Sequence, residues 1–183
     1  GDVPKSDMVV PFSMLLNLAS VAASEDKEGL WGFIKRYAPE ASAEANPQLD
    51  AAAGYAVRYF NDFVKPTRVF RAPTDQERAA LEDLVAALKD AELARGMIEA
   101  KNKAMGKDEP VAALDMTDGE DLQSIVFAVG KNHGFENLRD WFAAIYEVLM
   151  GASQGPRFGS FIALYGVDET IVLIEQGLKG ELG

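Results

Sequence analysis

The sequence predicts an all-α protein, a helical bundle of about eight helices whose short connections make sequential neighbours pack together. Three observations predict it. Apolar residues recur at spacings of three and four along most of the 183 residues, as one face of a helix requires. Strand-like alternation is nearly absent. Helix-starting and helix-stopping residues punctuate the apolar stretches.

Gly1 to Val10 mixes charge, proline and glycine and reads as a flexible lead-in or linker remnant. From Pro11, residues Phe12, Leu15, Leu16, Leu18, Ala19 and Ala22 give a helix apolar enough to be well buried. Ser24 is placed to cap the next helix, with Glu25, Asp26 and Glu28 at its positive end and Lys35 and Arg36 at its negative end. Its apolar side is Leu30, Trp31, Phe33, Ile34 and Tyr37, and Pro39 stops it. Asn46 and Pro47 start a third helix, which runs to about Val64 because Lys65 precedes Pro66 and is disfavoured in helical geometry.

The connection KPTRVFRAPT leads to Thr74 and Glu77, a capping box, after which Leu81, Leu84, Val85 and Leu88 point inward. Helical tendency continues from Ala91 to Met105, with Gly96 as the point for a break. The loop GKDEPVAALDMTDG ends in a second capping box, Thr117 with Glu120, and the helix beyond it uses Leu122, Ile125, Val126 and Val129 before Gly134 closes it. Asn137 caps an amphipathic helix with Leu138, Trp141, Phe142, Ile145, Val148 and Leu149, ending at Gly151.

In QGPRFGSFIALYG, Gln154 to Gly166, Pro156 suits a first helical position and Gly166 a left-handed stop, while Phe158, Phe161, Ile162 and Tyr165 share a face. Arg157 falls in the first turn, where a cation gains nothing from the helix dipole, so a group outside the helix is expected to want it. Asp168 caps a last helix containing Ile171, Leu173, Ile174 and Leu178. The expected organisation is a lead-in, 1–10, and an all-helical region, 11–183. A division into two packed subdomains, 11–90 and 118–183, joined by a variable segment 91–117, is left open.

A hydrophobic content of 48% supports a proper core. No apolar run approaches the roughly 18 residues needed to cross a bilayer, so a soluble protein with no membrane partner is expected; a cytoplasmic monomer is a further expectation. The absence of cysteine excludes disulfides, thiolate metal sites and a cysteine nucleophile, and fits a reducing compartment. A formal charge of -11 argues against a generally basic, nucleic-acid-binding surface. One segment runs the other way: Val57 to Ala72 carries Arg58, Lys65, Arg68 and Arg71 against Asp62 alone.

The acidic group Asp115, Asp118, Glu120 and Asp121 fails the EF-hand spacing and reads as a solvated helix start. His133, the single histidine, stands just before Gly134 and reads as structural. Catalytic motifs are read as absent: no GxSxG elbow, no GxxxxGK[ST] loop and no HExxH helix is expected, and no metal site.

Several phrases resemble one family. GPRFGSFIALYG resembles the C-terminal signature of class I lysyl-tRNA synthetases. PFSMLLNLASVA at Pro11 to Ala22, LWGFIKRYAPEA at Leu30 to Ala41, YAVRYFNDFVKPTRVFRAPTDQERAAL at Tyr55 to Leu81 and HGFENLRDWFAAIYEVLMG at His133 to Gly151 are similar to that family in the same order. The resemblance covers most of the chain and is weakest between about Ala91 and Asp121.

It implies the helical cage that binds the tRNA anticodon, without the catalytic domain, whose HIGH-like and KMSKS-like signatures are not found. Alone the chain is expected not to charge tRNA. ATP and Mg²⁺ are implied only for the absent catalytic domain, and no cofactor for this chain. The implied partners are the anticodon stem-loop of lysine tRNA and the enzyme's own catalytic domain. Loop bases can be splayed, stacked on aromatic or guanidinium planes and hydrogen-bonded at their edges. Lys65, Arg68 and Arg71 are candidate phosphate contacts, with Phe70 either stacking or packing. Arg157 and Phe158, within GPRF, are candidates for the anticodon pocket, and Arg139 is a further one. The alternatives are a free-standing relative that binds RNA, and a helical protein-interaction module.

Overall fold

A computed structural model describes residues 7–183, and among them no strand occurs. The chain divides into two compact units, Gly1–Arg68 and Val69–Gly183.

In the first unit, α1 (Phe12–Ala22), α2 (Lys27–Tyr37) and α3 (Pro47–Tyr59) pack pairwise around Leu15, Leu18, Leu30, Ile34, Leu49 and Ala53, all essentially without solvent contact. The first six residues of the expected lead-in lie outside the described residues. Its remainder is anchored: Val10 is buried, and the Asp7 carboxylate accepts from the backbone N–H groups of Gln48 (3.1 Å) and Leu49 (3.0 Å). An acid thus caps the positive end of α3 from a distant point in the sequence. Asp50 joins α2 to α3 by accepting from Lys27 Nζ at 2.7 Å and from the Trp31 indole at 2.9 Å, and these two donors hold its carboxyl below the usual carboxylate range. After Tyr59 the helix widens into a π turn, Phe60–Val64, and then tightens into a 3-10 turn, Lys65–Thr67, ahead of extended backbone at Arg68. Pro66 lacks the N–H that would continue the ladder.

The second unit holds α4 (Asp75–Lys89), α5 (Ala91–Ala104), α6 (Gly119–Asn132), α7 (Leu138–Met150), α8 (Phe158–Tyr165) and α9 (Val167–Leu178). This makes nine α-helices among the described residues, against about eight expected. Helix α6 is the hub and packs against α4, α5, α7 and α8. Trp141, Ile145, Leu122, Ile125, Phe158, Phe161 and Ile162 fill the space between them.

The Thr74–Glu77 capping box is complete, and Asn137 caps α7 as expected. Other caps differ. Asp26, not Ser24, precedes α2, and makes no side-chain cap bond. Helix α5 begins at Ala91 as expected, with the Asp90 carboxylate accepting from the Glu92 and Leu93 N–H groups, but the break expected at Gly96 does not occur. At α6 the cap is Asp118, which accepts from the Asp121 N–H, because Asp115 has engaged both the N–H and the hydroxyl of Thr117. Gly166 has φ 108 and ψ 143, which turns the chain directly from α8 into α9 and leaves Asp168 inside the first turn rather than capping it.

Candidate nucleic-acid interface

The QGPRF segment is held by its neighbours in the second unit. The Tyr146 hydroxyl donates to the Pro156 carbonyl, and a Cβ on Gly155 would overlap the Tyr146 ring. Helix α8 begins at Phe158, two residues after Pro156, so Arg157 is its capping residue and forms no side-chain cap. The cap comes from α6: the Gln123 side-chain oxygen accepts from the Gly159 N–H at 2.7 Å. Gly159 lies so close to α6 that a Cβ would overlap the Gln123 backbone. Sequence and packing therefore fix where Arg157 leaves the chain.

These elements border a cleft of about 700 Å³ lined by Gln123, Arg139, Phe142, Tyr146, Gln154 and Arg157, among others. Arg139 and Arg157 are exposed, and Phe142 is half-buried. Arg157 Nη1 meets Glu120 Oε1 at 2.7 Å, with 59% and 72% of the two side chains exposed, so the expected outside partner of Arg157 is a carboxylate in the first turn of α6. An exposed pair of this kind contributes about 0–1 kcal/mol and is displaceable.

Phe158 lines the cleft but is 1% exposed, set edge-on against Tyr146 and stacked with Phe161. It is part of the floor and has no free face for a base. Arg71 also departs from expectation. Its guanidinium donates to both Glu77 oxygens at 2.6 and 3.0 Å and to Glu147 at 3.0 Å, which raises its pKa further and leaves it a clamp joining the 69–74 segment to α4 and α7. Phe70 is half-buried and packs against Gly183 in a cavity of about 230 Å³ that Val148, Gly177 and Leu182 also line.

In the first unit, Arg68 is half-buried with its guanidinium 5.0 Å from the Phe60 ring centre, and burial pushes its pKa down. Lys65 is exposed. Of the expected site residues, the cleft gathers Arg139, Arg157 and Phe158. The sequence reading missed Phe142, Gln123 and Gln154. A signal existed: Arg139, Phe142, Ala143 and Tyr146 are spaced three and four apart on α7, a second face beside the buried Trp141, Ile145 and Leu149.

A GxSxG string also occurs, against the expectation of none: Gly151, Ala152, Ser153, Gln154, Gly155. It joins α7 to α8, whereas a nucleophile elbow needs a strand leading into a helix. The single histidine, His133, instead meets Asp83 on α4 at 2.5 Å.

Lysine–tRNA ligase of Roseobacter denitrificans is 59% identical to the chain over 182 residues, which is 100% of this chain and 30% of the relative. The ligases of Rickettsia bellii and Rickettsia conorii are 41% and 38% identical over 97% and 96% of the chain. Lysine–tRNA ligase homologues cover the whole chain. The chain spans about 30% of the length of these ligases. No family model matches it, and no solved structure does. Homology to the ligases extends over both units, so the cleft and the arginines of the first unit lie in one ligase-like sequence. Among the described residues of this ligase-like chain, no group of three or more His, Asp or Glu side chains is placed to hold a metal ion.

Proposed function

We propose that this chain is the C-terminal, anticodon-reading region of a class I lysyl-tRNA synthetase, and that the cleft beside α8 receives part of the anticodon loop. The observation that carries this reading is the cleft itself. Two guanidiniums, a half-open phenylalanine ring and two side-chain amides converge on about 700 Å³, inside the usual range for small-molecule-sized sites. Arg139 and Arg157 supply donor forks for base edges, Phe142 supplies a stacking face, and Phe158 keeps the floor rigid. Lys65 is the remaining phosphate contact of the three first considered, since Arg71 is occupied by Glu77 and Glu147 and Arg68 packs on Phe60.

In this reading the full enzyme joins lysine to its tRNA with ATP and Mg²⁺ bound by residues outside this chain, in the cytoplasm. The region in hand contributes selectivity and positioning, holding the tRNA so that its acceptor end reaches the active site. The test is titration with lysine tRNA, an anticodon-swapped version and total tRNA at two salt concentrations. The reading expects a preference for the matched loop at both. Equal binding of all three RNAs, falling together with salt, would reduce the chain to a nonspecific binder.

One observation favours a second surface, suited to protein. On the first unit Phe12, Tyr55, Tyr59 and Phe63 form a ladder of ring contacts 5.3 to 6.3 Å apart, with Tyr55 52% and Phe63 65% exposed. An aromatic stripe of this kind fits a partner domain.

A further inference from the structure

The cleft is close to charge-balanced. Arg139 and Arg157 share its lining with Asp140, and Glu120 holds Arg157 at 2.7 Å. Glu120 is itself well placed, because the first turn of α6 favours an anion. A phosphate approaching Arg157 would therefore have to displace the Glu120 carboxylate or face it at close range. An uncharged heterocycle meets no such repulsion. The guanidinium offers five N–H donors in a planar fork, and the contact with Glu120 uses Nη1, so other donors remain for carbonyl or ring-nitrogen acceptors on a base edge. Phe142 gives that ring a face to stack on, and Gln123, fixed by its bond to the Gly159 N–H, gives the wall a set orientation.

We propose that Glu120 is a selectivity residue of this cleft, admitting an unstacked, uncharged nucleobase to Arg157 and turning away backbone phosphate. The proposal rests on the RNA-loop reading above. A uniform cationic pocket would attract any polynucleotide; a guanidinium guarded by a carboxylate gains most from a ligand that carries acceptors without charge. The price in affinity falls on every anion, and the base is the ligand that escapes it.

The test measures the dissociation constant of a lysine-tRNA anticodon hairpin, and of a hairpin with an unrelated loop, across a salt series. The proteins are the wild type, Arg157→Ala, Arg157→Lys and Glu120→Gln, with helicity checked by circular dichroism. Both positions are exposed, so folding should survive. Arg157→Ala is expected to weaken the matched hairpin about fivefold or more while leaving the slope of log K against log salt unchanged, as loss of a base contact does. Arg157→Lys should lose nearly as much, because an ammonium lacks the planar fork. Glu120→Gln should tighten the unrelated hairpin several-fold and steepen its slope by about 0.7 to 0.9, one added phosphate. A slope that drops by that amount in Arg157→Ala would make Arg157 a phosphate contact and overturn the proposal. So would a Glu120→Gln protein that binds the unrelated hairpin no better than wild type. If the wild type binds neither hairpin at any salt, the RNA-loop reading falls, and the proposal falls with it.

Discussion

Arg71 and Arg157 look alike in the sequence and meet opposite fates in the fold. Arg71 is about one-third exposed and gripped by two carboxylates, while Arg157 is mostly exposed and held by one. Arg71→Ala would leave Glu77 and Glu147 facing each other without their cation. It is expected to lower unfolding stability by about 2 kcal/mol, below the cost of breaking a fully buried pair because water still reaches this one. Urea unfolding checks this, and RNA affinity per folded molecule should not change. The Arg71 hydrogen bonds and the Thr74 N–H hold the Glu77 carboxyl below its ordinary value of 4.5. Its titration is thus lower folded than unfolded, so the stabilisation is complete above the ordinary glutamate range and is lost as pH falls through the folded value. The urea midpoint should therefore drop between about pH 6 and below about pH 4, and part of that drop should vanish in Glu77→Gln. That Arg71 is a cation near the segment of interest was legible. Its capture by Glu147, 76 positions away, was not, because no local pattern encodes a pairing at that separation. Phe158 was legible as a core residue from its spacing with Phe161 and Ile162, and that is the role the fold gives it.

The short helix α8 depends on its neighbours more than on its own sequence. Its cap is Gln123 from α6, and its approach to α6 depends on Gly159. Gly159→Ala would favour the helix by intrinsic propensity and still destabilise the protein, since a methyl group has nowhere to go against the Gln123 backbone. A loss of about 1 to 3 kcal/mol by chemical denaturation is expected, with weaker RNA binding because Arg157 moves with the helix. A stability equal to or above wild type would show that the two helices can separate at no cost. At the other well-formed cap, Thr74→Ala should cost about 1 kcal/mol. Helix identity was legible throughout, because apolar spacing and caps act locally. The caps at α6 and α9 lie one or two residues from those expected: at α6 Asp115 takes Thr117 and leaves the cap to Asp118, and at α9 Gly166 turns the chain with no side-chain cap. The helical stretch from Ala91 is there as α5, started by the Asp90 carboxylate, and it runs through Gly96 because a single interior glycine weakens a helix without ending it.

At the scale of the molecule, the all-helical class and the kinship with lysine–tRNA ligases were both readable, the first from periodicity and the second from phrases kept in order. The convergence of Arg139, Phe142, Gln154 and Arg157 on one cleft was not, since it is made by α7 and α8 packing beside α6. A chain with a formal charge of -11 can bind a polyanion only through such local arrangements, and its affinity must come from recognition more than from bulk attraction. The central claim is therefore that the cleft reads the loop of lysine tRNA. The most direct measurement is the loop preference itself: the ratio of dissociation constants for matched and anticodon-swapped hairpins, in wild type and in Arg157→Ala. The account predicts a preference of about tenfold or more in the wild type that shrinks towards one in the variant. A ratio near one in the wild type, or a preference that Arg157→Ala leaves intact in a fully helical protein, would contradict it.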